Sequence, residues 1–429
     1  MSSQTTLEFL NIWRSTACQV ILQYPSPAAW KMRRDSARRR LRTWLQKVCR
    51  LQRSGGDWLE QLCLAEVTSI CSQLLYTLRS KDAAQILFDP ELIGGLESLM
   101  FIVQLYIDRD IEPSVNGVCL RTLLRLCKTF NVFPSDILIK DINFEGNRAV
   151  AEGNYAEIWR GYYFTEVVAV KVNRVCRPSD AVRQRRSIWQ EMLIWRQLCH
   201  PNILPLMGLY IPSDSPSRLC LVSPWMENGN VHQYLTKYPC ANRAELIIDI
   251  ASGLNYLHAL RPKIIHGDLK GLNILVTRAH RACLADFGVS IVATESCFKW
   301  SGVGVSRAGT LRWLAPELLD GSCPHNTLQT DIYAFACVCY ELHSGNIPFH
   351  DLKRDGQVII LVSQGRRPTR PDYISDEAWS LIQECWEQDP SARPTSREIL
   401  DRLLCEGKPS RSYALPYPIR NHYIMSLSP

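Results

Sequence analysis

Apolar positions recur at helical spacing through the first 130 residues and shift to strand spacing from about residue 141. Ala37, Leu41, Trp44, Leu45, Val48 and Leu51 predict an amphipathic helix within 31–53. Asp57 can cap a second, in which Leu59, Leu62, Val67, Ile70, Leu74 and Leu78 share one side. Asp89-Pro90 supplies an aspartate cap and a first-turn proline for a third. A further helix is expected from about Val115 to Phe130, ending before Phe133-Pro134. From Asp141 to Val172 the pattern is strand-like, Leu219-Cys220-Leu221-Val222 reads as another apolar strand, and Glu245 to His258 as a long helix.

This division predicts a small all-helical domain over residues 1–130, a linker over 131–140, a second domain over 141–405 and a tail over 406–429. At 429 residues with 46% apolar content the chain has material for full-sized cores. Its most apolar stretch, 92–107, is interrupted by Glu97 and Gln104 and is too short for a bilayer span, so it reads as a core helix. The 17 cysteines form no CxxC pair, and no secretory leader is visible at the start. Both observations point to reduced thiols and a cytoplasmic or nuclear location.

The net charge of +7 is concentrated: ten basic residues and one acid, Asp35, lie between Lys31 and Arg53. The simplest reading is a helix packed by its apolar stripe with its arginines in water. A partner protein or an anionic membrane surface is the alternative use of that face. Nucleic acid fits poorly, because aromatics do not alternate with the basic residues. No catalytic constellation or repeat occurs in residues 1–130.

The chemistry gathers in residues 266–288, HGDLKGLNILVTRAHRACLADFG. An acid at Asp268, a lysine at Lys270, an amide at Asn273 and a second acid at Asp286 suit phosphoryl transfer. One carboxylate can orient a hydroxyl and accept its proton, and the other oxygens can hold magnesium against a triphosphate. Upstream, Val150 to Trp159 contains Gly153 and Asn154 and on its own reads as a hairpin. Lys171, at the end of Val168-Ala169-Val170-Lys171, is a lysine within an apolar strand and requires an anion.

These motifs, with Gly309-Thr310-Leu311-Arg312-Trp313-Leu314-Ala315-Pro316-Glu317, resemble those of eukaryotic protein kinases of the tyrosine-kinase-like group, and among them kinases of mushroom-forming fungi. The resemblance runs from about 141 to 405 and does not cover the helical domain. It implies an α+β, bilobal protein kinase fold, with a small β-rich N-lobe and a large helical C-lobe, behind the helical domain. It implies ATP and magnesium, with manganese as a possible substitute. ATP would meet Val150, Gly153, Ile158, Ala169, Lys171, Ser223, Pro224 and Met226. Catalysis would rest on Asp268, Lys270, Asn273, Lys171 and Glu191, and metal binding on Asn273 and Asp286. Lys270 and the GTxxWxAPE ending imply serine or threonine acceptors on protein substrates, and the resemblance implies a role in intracellular signalling.

Several finer expectations follow from the resemblance. Ser223, a small residue at the rear of the adenine site, predicts an accessible back pocket. Thr310 should line the acceptor site near Asp268, Glu317 should pair with Arg393, and Asp331 should anchor the catalytic loop. Ser301, Ser306 and Thr310 are hydroxyls open to modification. Two features depart from the family pattern. The phosphate loop has Ala151 and Ala156 where glycines are usual, and His266-Gly267-Asp268 replaces His-Arg-Asp. Both together keep a pseudokinase scaffold as the alternative function. The second implies less dependence on activation-segment phosphorylation, because Gly267 cannot grip a phosphate.

Overall fold

A computed structural model describes residues 113–130, 137–153, 156–174, 181–213, 218–293 and 310–406, with isolated positions near them. The chain divides into two compact units, Met1–Leu138 and Ile139–Pro429. The basic helix expected at 31–53, the helices begun at Asp57 and Asp89, Ser301, Ser306 and the tail beyond Glu406 lie outside the described residues.

In the first unit, helix α1 spans Pro113–Phe130, two residues longer at its start than the sequence pattern indicates. Proline is well suited to a first turn, where its missing N–H has no helical partner to lose. Cys119, Leu120, Leu123, Leu126 and Cys127 are buried at the three- and four-residue spacing of one helix face. Met100 and Val103 are helical and fully buried, in keeping with a core helix in the 92–107 stretch.

The second unit begins with a curled antiparallel sheet. Its strands are β1 (Leu138–Ile139), β2 (Ile142–Phe144), β3 (Ala151–Glu152), β4 (Ala156–Tyr163), β5 (Glu166–Asn173), β6 (Gly208–Tyr210) and β7 (Cys220–Pro224). Their order is β1-β6-β7-β5-β4-β2, with β3 paired to β4. Strand β1 falls in the stretch read as a linker, since Ile139 joins Ile142 in the sheet core. Along β5, Val168, Val170 and Val172 are buried in that core with Cys220 and Val222. The two-residue period of a strand then puts Val167, Ala169 and Lys171 on the opposite face. Register sets Ile158 and Leu221 beside Lys171, and Ser223 beside Ala169.

The rest of the unit is largely helical. Helix α2 (Ala181–Arg196) follows the sheet's first strands, and α3 (Val231–Lys237) and α4 (Arg243–Ala259) follow β7. Asn230 and Asn242 cap α3 and α4, each accepting from two backbone amides of the first turn. Two short antiparallel ladders come next: β9 (Ile274–Val276) with β10 (Ala282–Leu284), and, enclosing them in sequence, β8 (Ile264–Ile265) with β11 (Ile291–Val292). Helices α5 (Pro316–Leu319), α6 (Leu328–Ser344), α7 (Asp355–Ser363), α8 (Asp376–Cys385) and α9 (Ser396–Glu406) complete it.

Helix α6 is buried on every side from Thr330 to Leu342, which makes it the axis of the helical part. A Thr327–Thr330 capping box starts it and Gly345, at φ 72°, ends it. The observed architecture is therefore the two-lobed one expected, with a β-rich small lobe and a helical large lobe. Among the described residues no helix is long and apolar enough to cross a membrane.

Candidate active site

The small lobe contributes a cation held between two acids. Lys171 Nζ lies 2.7 Å from Glu191 Oε1 and 2.7 Å from Asp286 Oδ1. Three separate elements meet there: Lys171 on the non-core face of β5, Glu191 on α2, and Asp286 after β10. Burial alone would pull the Lys171 ammonium down, but the charges of Asp286 and Glu191 hold it above its usual range. Burial pushes the Asp286 carboxyl up, and Lys171, Lys270 and His266 outweigh it, leaving Asp286 at about 2.

Asp286 sits at φ 66°, the left-handed region that aspartate tolerates better than most residues. That turn sends the next side chain, Phe287, inward. Phe287 is fully buried, with its ring centroid 5.7 Å from Trp195 of α2 and 5.3 Å from His266. The same backbone turn thus places a carboxylate in the cleft and a ring between the two lobes.

The loop from His266 to Asn273 hangs from α6. Asp331, 1% exposed, accepts from the His266 amide at 2.8 Å and the Gly267 amide at 2.8 Å, and from His258 Nε2 at 3.0 Å. His266 is fully buried, with Nε2 3.1 Å from the Ala285 carbonyl, so it ties this loop to the one bearing Asp286. Asp268 Oδ2 is met by Lys270 Nζ at 2.6 Å and Asn273 Nδ2 at 2.9 Å. Lys270 Nζ also donates to Thr310 Oγ1 at 3.1 Å, which puts a hydroxyl of the following segment beside Asp268.

These groups suit a divalent cation bound with a polyphosphate. Asn273 uses its amide nitrogen on the Asp268 side chain and carbonyl, so its oxygen is turned the other way. The Asp286 side chain is 42% exposed, and with the Asn273 oxygen it makes a hard, all-oxygen donor pair. Two protein ligands leave room for phosphate and water oxygens, as magnesium prefers. Among the described residues no cluster of three or more His, Cys, Asp or Glu could hold a metal without such help.

The other expected positions are also located. Gly153 N donates to the Ala156 carbonyl at 2.8 Å, closing a hairpin, while Val150 is 57% exposed at its base. Ile158 and Ala169 are half-buried in neighbouring strands. Ser223 is buried at the end of β7, and Pro224 is half-buried after it. Met226 is buried, and its carbonyl accepts from the Gly229 amide at 3.0 Å. Glu317 and Arg393 form a buried two-pronged pair at 2.7 and 2.8 Å.

Sequence reasoning passed over a second buried carboxylate. Glu341, 1% exposed on α6, accepts from the Gly271 amide at 2.9 Å and Trp313 Nε1 at 2.8 Å, and lies 3.0 Å from His232 Nε2. A Cβ on Gly271 would stand 2.2 Å from that imidazole nitrogen, so the close approach requires glycine. A lone glutamate in an apolar helical run was the available signal, as burial obliges it to find donors.

Known proteins share this second unit. The family described as protein tyrosine and serine/threonine kinase matches residues 144–403. Serine/threonine-protein kinase STY17 of Arabidopsis thaliana is 32% identical over 272 residues, 62% of this chain and 45% of that protein. Serine/threonine/tyrosine-protein kinase HT1 of the same plant is 31% identical over 284 residues, 63% of this chain and 70% of its own length. Probable serine/threonine-protein kinase drkC of Dictyostelium discoideum is 32% identical over 259 residues, 59% of this chain and 33% of that protein. The chain thus spans less than half the length of STY17 and drkC. More than half of the chain matches the family, and the Lys171–Glu191–Asp286 cluster, the Asp268 loop and the two-lobed fold lie within the match: the chain belongs to the protein tyrosine and serine/threonine kinase family.

Proposed function

We propose that the chain is an ATP-dependent protein kinase that transfers the γ-phosphate to serine or threonine hydroxyls of proteins. The observation that carries this is the arrangement around Asp268, whose carboxylate is fixed by Lys270 and Asn273 with the Thr310 hydroxyl on the same lysine. Protein kinases work with ATP and a divalent metal, and the oxygen pair of Asn273 and Asp286 favours magnesium, with manganese as a substitute. When bound, the metal neutralises charge on the phosphates.

The chain's own residues do the rest. Pro224 and Met226 present backbone groups to the adenine. The Met226 carbonyl already serves Gly229, so its amide is the group assigned to the base. Gly153 lets the hairpin approach the phosphates, with Val150, Ile158 and Ala169 as apolar walls and Ser223 as the small residue behind. Lys171, fixed by Glu191, orients phosphate oxygens. Asp268 aligns the acceptor hydroxyl and takes its proton as the oxygen attacks phosphorus and the bond to ADP breaks. Lys270 steadies the phosphoryl oxygens in transit. The division into a helical region to about 130 and a kinase domain from about 141 to 405 is proposed with it.

A pseudokinase is the second reading, favoured by Ala151 and Ala156 in the phosphate loop. One assay separates the two: transfer from radiolabelled ATP with magnesium to a basic acceptor protein, comparing wild type with Asp268→Asn, followed by phosphoamino-acid analysis. Label on serine or threonine, reduced at least about 10²-fold in the variant, is expected. Label on tyrosine would overturn the acceptor class. No label on any acceptor or on the chain itself would leave the scaffold.

A further inference from the structure

The hairpin that carries Gly153 contains an electrostatic problem. Strand β3 is two residues long, and register sets Glu152 directly opposite Glu157 of β4. Like charges facing each other across an antiparallel pair are destabilising. A strand of two residues has few ladder bonds with which to resist. The loop also lacks two glycines usual in such a loop, so its approach to phosphates depends on how well the hairpin is held.

Arg174, the first residue after β5, meets both acids. Its Nη2 lies 2.6 Å from Glu152 Oε2 and its Nε 2.8 Å from Glu157 Oε1. The second acid is fixed further by Trp159 Nε1, which donates to Glu157 Oε2 at 3.0 Å. Guanidinium geometry suits this task, because its donors diverge in one plane and can serve two carboxylates together. The backbone of Arg174 reaches the other way: its carbonyl accepts from Gln184 Nε2 of α2, the helix that carries Glu191. One residue thus joins the hairpin to the helix that positions Lys171.

We propose that Arg174 is a positioning residue for nucleotide phosphates, a clamp that neutralises the Glu152–Glu157 pair and keeps β3 in register on β4. This rests on the kinase reading above for its ligand. The clamp supplies, through side chains, part of the order that a glycine-richer loop obtains from backbone contacts with the phosphates. Its three charged groups are partly exposed, at 37% for Arg174, 65% for Glu152 and 27% for Glu157, so the effect is moderate and weakens with added salt.

The test is direct binding to the full chain, by calorimetric titration with ATP and magnesium and, separately, with adenosine. Arg174→Ala should weaken ATP about three- to tenfold and leave adenosine unchanged, since the backbone bond to Gln184 survives the substitution. Removing one of the opposed charges as well, in Arg174→Ala/Glu152→Gln, should recover most of the loss. Unchanged ATP affinity in Arg174→Ala overturns the clamp. So does an equal loss of ATP and adenosine, which marks a general structural role, or a double variant no better than the single one. A wild type that binds ATP without transferring phosphate refutes the kinase reading and leaves the clamp standing or falling on these same titrations.

Discussion

Between His266 and Asp268 the backbone turns through φ 81° at Gly267, a conformation that costs an L-residue about 1–2 kcal/mol. Space adds to the constraint: a Cβ there would lie 2.4 Å from Asn326 Nδ2 and 3.2 Å from the Val289 carbonyl. Asn326 also donates to the Gly267 carbonyl at 3.2 Å, so an amide occupies the neighbourhood of the missing arginine. Gly267→Arg should therefore lower stability by about 1–2 kcal/mol in urea titrations and fail to raise the transfer rate. A variant whose activity rose on phosphorylation of its activation segment would contradict this.

Asp286 makes a second prediction at the same scale. Its carboxyl is held at about 2, below the free-chain value of 3.8. A carboxylate depressed by folding adds stability that is complete above the free-chain value and is lost as pH falls through the folded one. With partial exposure discounting the shift, the wild type should exceed Asp286→Asn by about 1 kcal/mol. The gap should stay constant from about pH 5 to 9 and close only below about pH 4. Thermal melts of both chains across that range decide it; a gap closing near pH 6 would assign the effect to another group.

At the scale of elements, catalytic residues were legible because their chemistry imposes short spacings. Asp268, Lys270 and Asn273 lie within six consecutive positions, and Asp286 follows the apolar strand that must bury between them. Strand β5 was equally legible, as valines alternating with Ala169 and Lys171 spell out two faces. Arg174, Asn326 and Glu341 were not. Each is a common residue type whose meaning depends on a partner on another element, and no period marks it. A strand as short as β1 also escapes pattern reading, since two residues cannot display an alternation, whereas β3 falls within the hairpin read at 150–159.

The Glu317–Arg393 pair was legible as a family expectation and is a buried, two-pronged tie between elements. It joins α5 to the loop before α9 in a site where the Arg393 side chain is fully buried. Removing one partner of such a pair leaves an uncompensated charge, at a cost of about 3–5 kcal/mol. Arg393→Ala should lower the unfolding free energy by that amount, and Glu317→Leu with Arg393→Met should recover most of it. Equal losses in both variants would show that the lost packing, rather than the stranded carboxylate, dominates.

At the scale of the molecule, family membership accounts for residues 144–403, while the first unit lies outside the match and no chemistry is legible in its sequence. Within the second unit the site is suspended from two different supports. Lys171 and Glu191 belong to the sheet and the helix packed on it, whereas Asp331 hangs the Asp268 loop from α6. Asp286 touches both, being bonded to Lys171 at 2.7 Å and backed by the Ala285 carbonyl on His266. Considered mechanically, a load that separates the lobes is shared among several ties: the Lys171–Asp286 bridge, the Gln190 bond to the Ser290 carbonyl at 3.2 Å, and the backbone bonds of Leu284 with Asn202 and Leu204 at 2.9 Å. Among these ties the Lys171–Asp286 bridge alone joins two groups of the candidate site, so its parting would divide the machinery into halves that each lobe keeps in register by its own buried joints.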